Sequence, residues 1–168
     1  MAGHPAASAF PASLVASREH PALRYRRVKS HFAVHGSDRP VDSTDAVMHF
    51  PAENIAVHAS NRRERVAMAP SDSECAVYQS SAGGALCVPT GRVYVRFAKG
   101  TRLEDNAAAL NDAGYRVVRT LSYAPNAGWV IATSGDIAAS LNGIGRLDAL
   151  PGIEEVAPQM LGKAARKD

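Results

Sequence analysis

The sequence predicts an α+β protein in which a small all-β unit precedes a unit of alternating strands and helices. Polar and apolar residues alternate in short runs between residues 24 and 90, where Pro51, Pro70 and Pro89 leave little room for a long helix. After Thr90, strand-like runs alternate with segments whose apolar residues recur at helical spacing. The 168 residues, of which 46% are apolar and 21% charged, are enough for one domain or two small ones with a core of ordinary size.

The first half is predicted to consist of short strands. Residues 25–35 place Val28, Phe32 and Val34 on one face of a half-buried strand. Residues 1–22 are rich in Ala, Ser and Pro and show no sustained periodicity, which predicts a flexible leader. Further strand-like runs cover residues 46–50, 54–58, 65–68, 74–79 and 85–88. The predicted organisation is a leader at 1–22, a β-rich domain at 23–90, a second domain at 91–163 and a flexible tail at 164–168.

The chain has two cysteines, too few for a disulfide scaffold or a zinc ribbon. The runs at 74–79 and 85–88 predict a hairpin, and a turn centred near Ser81 would set Cys75 and Cys87 opposite one another. The sequence therefore allows one disulfide between Cys75 and Cys87 but does not require it. All six histidines lie in the first 60 residues without nearby cysteines or tight carboxylate clusters, so no metal site is predicted.

The second half predicts strands separated by two helices. Thr101 followed by Glu104 has the pattern of a capping box that begins the first helix, and Gly114 ends it. Asp136 offers an N-cap to the second helix, which ends before Pro151. The predicted strands of this half cover residues 91–99, 115–123, 128–133 and 153–161, with a turn at 124–127 between the second and the third.

This β-α-β-β-α-β order is that of a ferredoxin-like domain, in which both helices cover one face of a four-stranded antiparallel sheet. The other face is left open and has to be solvated or docked onto something. Tyr94, together with Trp129 or Val130, is predicted to be exposed on that face, which favours docking. Arg96 and Tyr123 complete the set of residues predicted to dock by the sheet face.

No combination of residues predicts an enzyme or a cofactor. His35-Gly36-Ser37 loosely resembles the histidine segment of subtilisin-type proteases, but no matching aspartate or nucleophile segment accompanies it. Glu154 and Glu155 are adjacent, so on a strand they point to opposite faces and cannot act as an acid/base pair. No run of residues is apolar enough to span a membrane and no secretory signal is recognisable, which leaves the localisation open.

The segment from Arg92 to Leu161 resembles the propeptide inhibitor domain of subtilisin-type serine proteases. The residues that carry the resemblance are a first strand at 93–97, a central hairpin at 121–130 and a helix end, Pro-Gly turn and last strand at 147–159. The sequence departs from the family pattern at Ala157, where an acidic residue is commoner, and the chain contains no protease domain. The resemblance does not extend to the first half, whose role the sequence leaves unassigned.

The resemblance implies a non-enzymatic inhibitor or folding chaperone of a subtilisin-family protease, either free-standing or separated from its enzyme. The open sheet face would dock on the protease, and the C-terminal tail would lie in the cleft like a substrate, with Ala165 nearest the catalytic serine. The residues of that tail are Gly162, Lys163, Ala164, Ala165 and Arg166. An extended tail of this kind takes affinity from main-chain hydrogen bonds.

The alternative is a ferredoxin-like module that binds a small ligand or a protein and has no connection with proteolysis, because a fold does not specify a function. Ligand-dependent thermal stabilisation without any effect on a protease would favour it. A nucleic-acid partner is not predicted, since the basic run at 24–29 is short and the net charge of the chain is only +3. The oligomeric state is left open.

Overall fold

The computed structural model describes residues 10–163 and shows an α+β fold built on one mostly antiparallel sheet with three short helices. The helices are α1 (Ala107–Asp112), α2 (Ile137–Asn142) and α3 (Ile144–Asp148), and 3-10 turns cover Ser60–Arg65 and Glu104–Asn106. The strands are β1 (Ser13–Val15), β2 (Arg24–His35), β3 (Met48–Phe50), β4 (Ile55–Ala59), β5 (Ser73–Ser80), β6 (Leu86–Phe97), β7 (Tyr115–Leu121), β8 (Ala124–Ala132) and β9 (Ile153–Gly162).

Strand β6 joins the two halves of the chain. The sheet order is β3-β4-β2-β5-β6-β8-β7, with β1 added beside β2 and β9 beside β6. The start of β6 pairs with β5, its end pairs with β8, and β9 follows it from Cys87 to Phe97. The boundary predicted after Thr90 lies inside this strand, where Gly91 takes a φ of +94° within an irregularity of the β6–β9 pairing. The predicted units at 23–90 and 91–163 therefore share one sheet.

The strand predicted at 25–35 is confirmed as β2, but its predicted single apolar face is wrong. The pairing with β5 shifts register between Val28 and Phe32, so that Lys29, Ser30 and His31 have no partners there. Val28 consequently packs on one core cluster, whereas Phe32 and Val34 belong to another. A bulge of this size changes the face on which the following residues lie, and it cannot be predicted from the alternation of residues along one strand.

Residues 10–22 are not the flexible leader that the sequence predicted. Phe10 and Leu14 are buried in the core, and β1 pairs with Tyr25 and its neighbours on β2. The hydroxyl of Tyr78 donates a 2.7 Å hydrogen bond to the carbonyl of Pro11. A three-residue strand flanked by Ser and Pro gives no usable periodicity, and this explains the wrong prediction. The remainder of the leader, residues 1–9, lies outside the described residues.

Three apolar clusters hold the fold together. The largest lies between the first half of the sheet and α2, where Ala138 and Leu141 are buried in one cluster with residues of β2, β4, β5 and β6. The second packs α1 and α3 against β6, β8 and β9, with Leu103, Leu110 and Leu147 fully buried. A third, smaller cluster covers the opposite face of the first half. The three short helices thus lie against the sheet, and the second cluster identifies the face of β6–β8 that they cover.

The helix boundaries of the second half differ in detail from the prediction. The capping box at Thr101 and Glu104 does not form, since Glu104 pairs with Arg102 at 3.0 Å and begins a 3-10 turn before α1. The cap at Asp136 is confirmed, because its carboxylate accepts a hydrogen bond from the backbone N–H of Ala138. The turn of the hairpin is tighter than predicted, with Ser122 and Tyr123 alone between β7 and β8.

The two cysteines are free buried thiols, and the predicted opposition of Cys75 and Cys87 is wrong. The hairpin register places Cys87 opposite Tyr78, while Cys75 lies opposite Ala33 of β2. The connection between β5 and β6 occupies residues 81–85, so its centre is later in the chain than Ser81. The geometry of the hairpin therefore separates the two sulfur atoms.

We expect both thiols to react slowly with a chromogenic disulfide reagent in the native protein and rapidly after unfolding. Burial raises the pKa of the Cys75 thiol far above its ordinary value and that of Cys87 to about 11. At Cys87 this lowers the reactive thiolate fraction by roughly a hundredfold. Thiol titration of the unreduced protein with and without denaturant measures the difference. Two thiols released by denaturant are expected, and none would show that the cysteines pair.

Candidate functional site

The candidate docking surface is the face of β6–β8 opposite the helices. Tyr94 on β6 and Trp129 on β8 are directly paired across these strands, with their ring centroids 5.6 Å apart in an edge-to-face arrangement. Both side chains are half-buried, whereas their neighbours Val93 and Val130 face the helices and are fully buried. The prediction that Tyr94 and Trp129 share the open face agrees with this register. Aromatic pairs in this geometry stabilise the surface that they form.

Three exposed arginines lie on the same face as the aromatic pair. Arg119 is directly opposite Trp129, Arg116 is opposite Ile131, and Arg92 is two residues from Tyr94 along β6. None of the three takes part in an ion pair among residues 10–163. We call this set the arginine–aromatic patch, and its members are Arg92, Tyr94, Arg116, Arg119 and Trp129.

Sequence reasoning missed Arg119 because of a bulge in β7. The register shifts between Val117 and Arg119, so Val118 is left without a directly paired partner and Arg119 takes the place opposite Trp129. Regular alternation from Tyr115, which is buried under the helices, would put Val118 there instead. The arginine at this position is visible only once the strand pairing is known.

Arg96 lies at the other end of the same face and is already neutralised. Its guanidinium is 2.6 Å from the carboxylate of Glu19 and 3.9 Å from that of Glu154. The bond with Glu19 holds the pKa of that carboxyl below its ordinary value. Arg96 was predicted to dock a partner, but here it binds a segment of its own chain.

That segment, residues 17–20, crosses the end of the open face. The backbone N–H of Arg18 donates to the carboxylate of Glu155 at 2.8 Å, and its guanidinium donates to the carbonyl of Ile153 at 2.7 Å. Glu155 is almost fully buried, and its carboxylate also accepts from the backbone N–H of Val156. These contacts hold the segment against β9. They involve none of the residues of the arginine–aromatic patch.

Tyr123 is not on the sheet face with the other predicted docking residues. It lies in the β7–β8 turn with 84% of its surface exposed. Together with Arg96 it lines an open groove of about 670 Å³, to which Lys99, Arg102 and Asn126 also contribute. The predicted docking set is therefore divided between the open face and this groove.

The predicted cleft-binding tail begins inside the sheet. Gly162 is the last residue of β9 and pairs with Cys87, so it is held by the fold. Lys163 follows it and is exposed. The remaining predicted tail residues, Ala164, Ala165 and Arg166, lie outside the described residues. The part of the tail that leaves the sheet thus starts at residue 163.

His58 is one of the buried polar residues between residues 10 and 163. His58 is fully buried, with its Nε2 atom 3.0 Å from the carbonyl of Asp42 and its ring stacked on Phe32. Within residues 10–163 no three His, Cys, Asp or Glu side chains form a group that could hold a metal ion. In the same part of the chain no helix has the length and apolar character needed to cross a membrane.

Neither a protein-family model, nor a curated protein, nor a solved structure matches the chain.

Proposed function

We propose that the protein is a non-enzymatic inhibitor or folding chaperone of a subtilisin-family serine protease. The observation that carries this proposal is the open face of β6–β8, which presents Tyr94 and Trp129 opposite the helices. Strand β9, which is continuous with the C-terminal tail, borders that face on β6. One surface for docking and one extended segment for the cleft are the two parts that such an inhibitor requires.

The strand order supports the finer, ferredoxin-like part of this proposal. The strands β9-β6-β8-β7 are neighbours in that order and every pairing among them is antiparallel. The helical segments follow β6 and β8 along the chain and pack on one face. A β-α-β-β-α-β unit with its fourth strand beside the first produces this neighbourhood.

The length of β9 supports the role of the tail. Ten residues of β9 run antiparallel to β6 and end at Gly162 against the start of β6. The direction in which Lys163 leaves is therefore set by the sheet before any protease is bound. Such preorganisation lowers the entropy cost of ordering an extended segment in a cleft.

Deletion of residues 163–168 is expected to weaken inhibition of a subtilisin-type protease by about tenfold or more, because the segment that adds to the cleft is lost. Gly162 is retained so that β9 keeps its pairing with Cys87. Steady-state inhibition, followed over hours at nanomolar to micromolar concentrations, gives the inhibition constant and shows whether the chain is itself cleaved.

The matched control is deletion of residues 1–9, which also removes a terminal segment but should leave inhibition unchanged. Circular dichroism melting of all three proteins confirms that the fold is intact. Equal inhibition by the protein without residues 163–168 and by the full chain would rule out the tail mechanism. A full chain that inhibits none of several subtilisin-type proteases would overturn the proposed function in favour of a ligand- or protein-binding module.

A further inference from the structure

We infer that the arginine–aromatic patch docks an acidic protein surface, one in which carboxylates surround an apolar contact. This inference rests on the proposed function, since it specifies the chemistry of the partner on the same face. The patch concentrates three positive charges around two aromatic rings, while the whole chain has a net charge of only +3. The face therefore carries three positive charges close together, although positive and negative side chains nearly balance over the whole chain.

The composition of the patch is that of a protein-binding surface. Tryptophan, tyrosine and arginine are the residue types that contribute most to protein–protein binding, and all five members of the patch belong to these types. Tyr94 and Trp129 already pack against one another, so their side chains lose little conformational entropy when a partner covers them. An arginine guanidinium forms two parallel hydrogen bonds with a carboxylate, which favours carboxylates as its partners.

The chain itself shows how a carboxylate binds this face. Glu19, carried on the segment that crosses the end of the sheet, is bound to Arg96 at 2.6 Å. Arg96 belongs to the same face as Tyr94, two residues further along β6. Three further arginines lie on the same face and have no acidic partner among residues 10–163. They are Arg92, Arg116 and Arg119. Acidic side chains of a docking protein would complete the set.

The residues of β9 that lie on this face do not compensate the charge of the patch. Glu155 is buried and already accepts hydrogen bonds from Arg18 and Val156. The other residues of β9 on this face, Ala157 and Gln159, are neutral. The patch therefore keeps its positive charge, which attracts an acidic surface at long range and speeds association at low ionic strength.

The single tryptophan of the chain, Trp129, makes the patch directly observable. The full chain is titrated with a ten-residue polyglutamate peptide at low and at physiological salt, and the fluorescence of Trp129 is followed. A saturable change that weakens as salt is raised is expected. Replacing Arg92, Arg116 and Arg119 together by glutamate should weaken this binding by about tenfold or more.

The control variant carries the same change of charge at Lys29, Arg39 and Arg65, which are exposed and lie in the first half. It should bind the peptide as the unmodified chain does, and both variants should melt as the unmodified chain does. Equal weakening in the two variants would overturn the inference by showing that only net charge matters. A fluorescence response to a single-stranded oligonucleotide, with none to polyglutamate, would also overturn it and assign the patch to nucleic acid.

Inhibition kinetics separate the failure of this inference from the failure of the proposed function. If the chain inhibits a subtilisin-type protease, the triple glutamate variant should associate about tenfold more slowly, with its tail intact. If neither this variant nor salt affects inhibition, the inference about the patch is overturned and the inhibitor function still stands. Binding of polyglutamate at Trp129 by a chain that inhibits no protease would support the patch and overturn the inhibitor function.

Discussion

Replacing Gly128 by alanine is expected to destabilise the protein by about 3 kcal/mol, near the upper end for an added methyl group in a well-packed core. A Cβ atom at this position would stand 2.5 Å from the Cδ2 atom of Leu103 and 3.1 Å from the Cα atom of Thr120. It would also overlap the carbonyl oxygen of Arg119. Two of these three neighbours are backbone atoms of the paired strand β7, which cannot move aside without breaking the β7–β8 pairing.

Chemical denaturation monitored by circular dichroism measures the loss, and a chain of this size should also melt roughly 6 to 12 °C earlier. Gly145→Ala is the matched control, because Gly145 lies in α3 and no atom stands within 4 Å of an added Cβ. That substitution should leave stability unchanged or raise it by about 0.5 to 1 kcal/mol, since alanine favours a helix over glycine. Similar effects of the two substitutions would contradict the close approach of β7 to Gly128.

Local sequence patterns predicted the elements well where each element depends on its own residues. The strand at 25–35, the cap at Asp136 and the last strand from Ile153 are all close to their observed positions. Alternation and capping act within a few residues, so one segment contains the information. The same reasoning failed for β1, which is three residues long, pairs with the start of β2 and follows Pro11, the residue bound by Tyr78 from β5.

The candidate site was harder to predict because it depends on register between strands. Tyr94 could be placed on the open face by counting along β6, with Trp129 or Val130 beside it on β8. Arg119 could not, because the bulge at Val118 moves it onto that face. The predicted opposition of Cys75 and Cys87 is wrong for a similar reason, because the cross-strand partners depend on where the hairpin turn lies. Register is fixed by packing between strands, and a single strand does not record it.

The continuity of β6 also depends on its neighbours. The change of pattern after Thr90 predicted a boundary between two units, and Pro89 and Gly91 on either side of it are residue types that weaken a strand. The strand continues past them because β9 pairs on both sides of the irregularity and Ile137 of α2 packs against Gly91. The first half is therefore tied to the strand that leads into the tail. Destabilising the first half should thus also loosen the end of β9.

Acidification from pH 7 to 5 is expected to lower the free energy of unfolding by about 2 kcal/mol through His35 alone. Its Nε2 atom is buried without a hydrogen-bond partner among the described residues. Burial lowers the pKa of His35 to about 4, and a hydrogen bond with the backbone of Pro89 only partly opposes this shift. An unfolded histidine has a pKa of about 6.5. Between these two values the unfolded chain binds a proton that the folded chain excludes, so stability is complete above pH 6.5 and falls towards pH 4.

Urea denaturation at pH 7, 6 and 5 measures this slope, and the window lies above the range where the carboxyls of Glu19 and Asp42, both with lowered pKa, become protonated. His35→Gln should flatten the slope, because glutamine can still donate to the Pro89 carbonyl but does not titrate. His49→Gln, at an exposed position of β3, is the control and should retain the slope. A slope that persists in His35→Gln would place the acid sensitivity elsewhere. The expected result would show that the fold keeps its full stability only while His35, at the end of β2, is neutral.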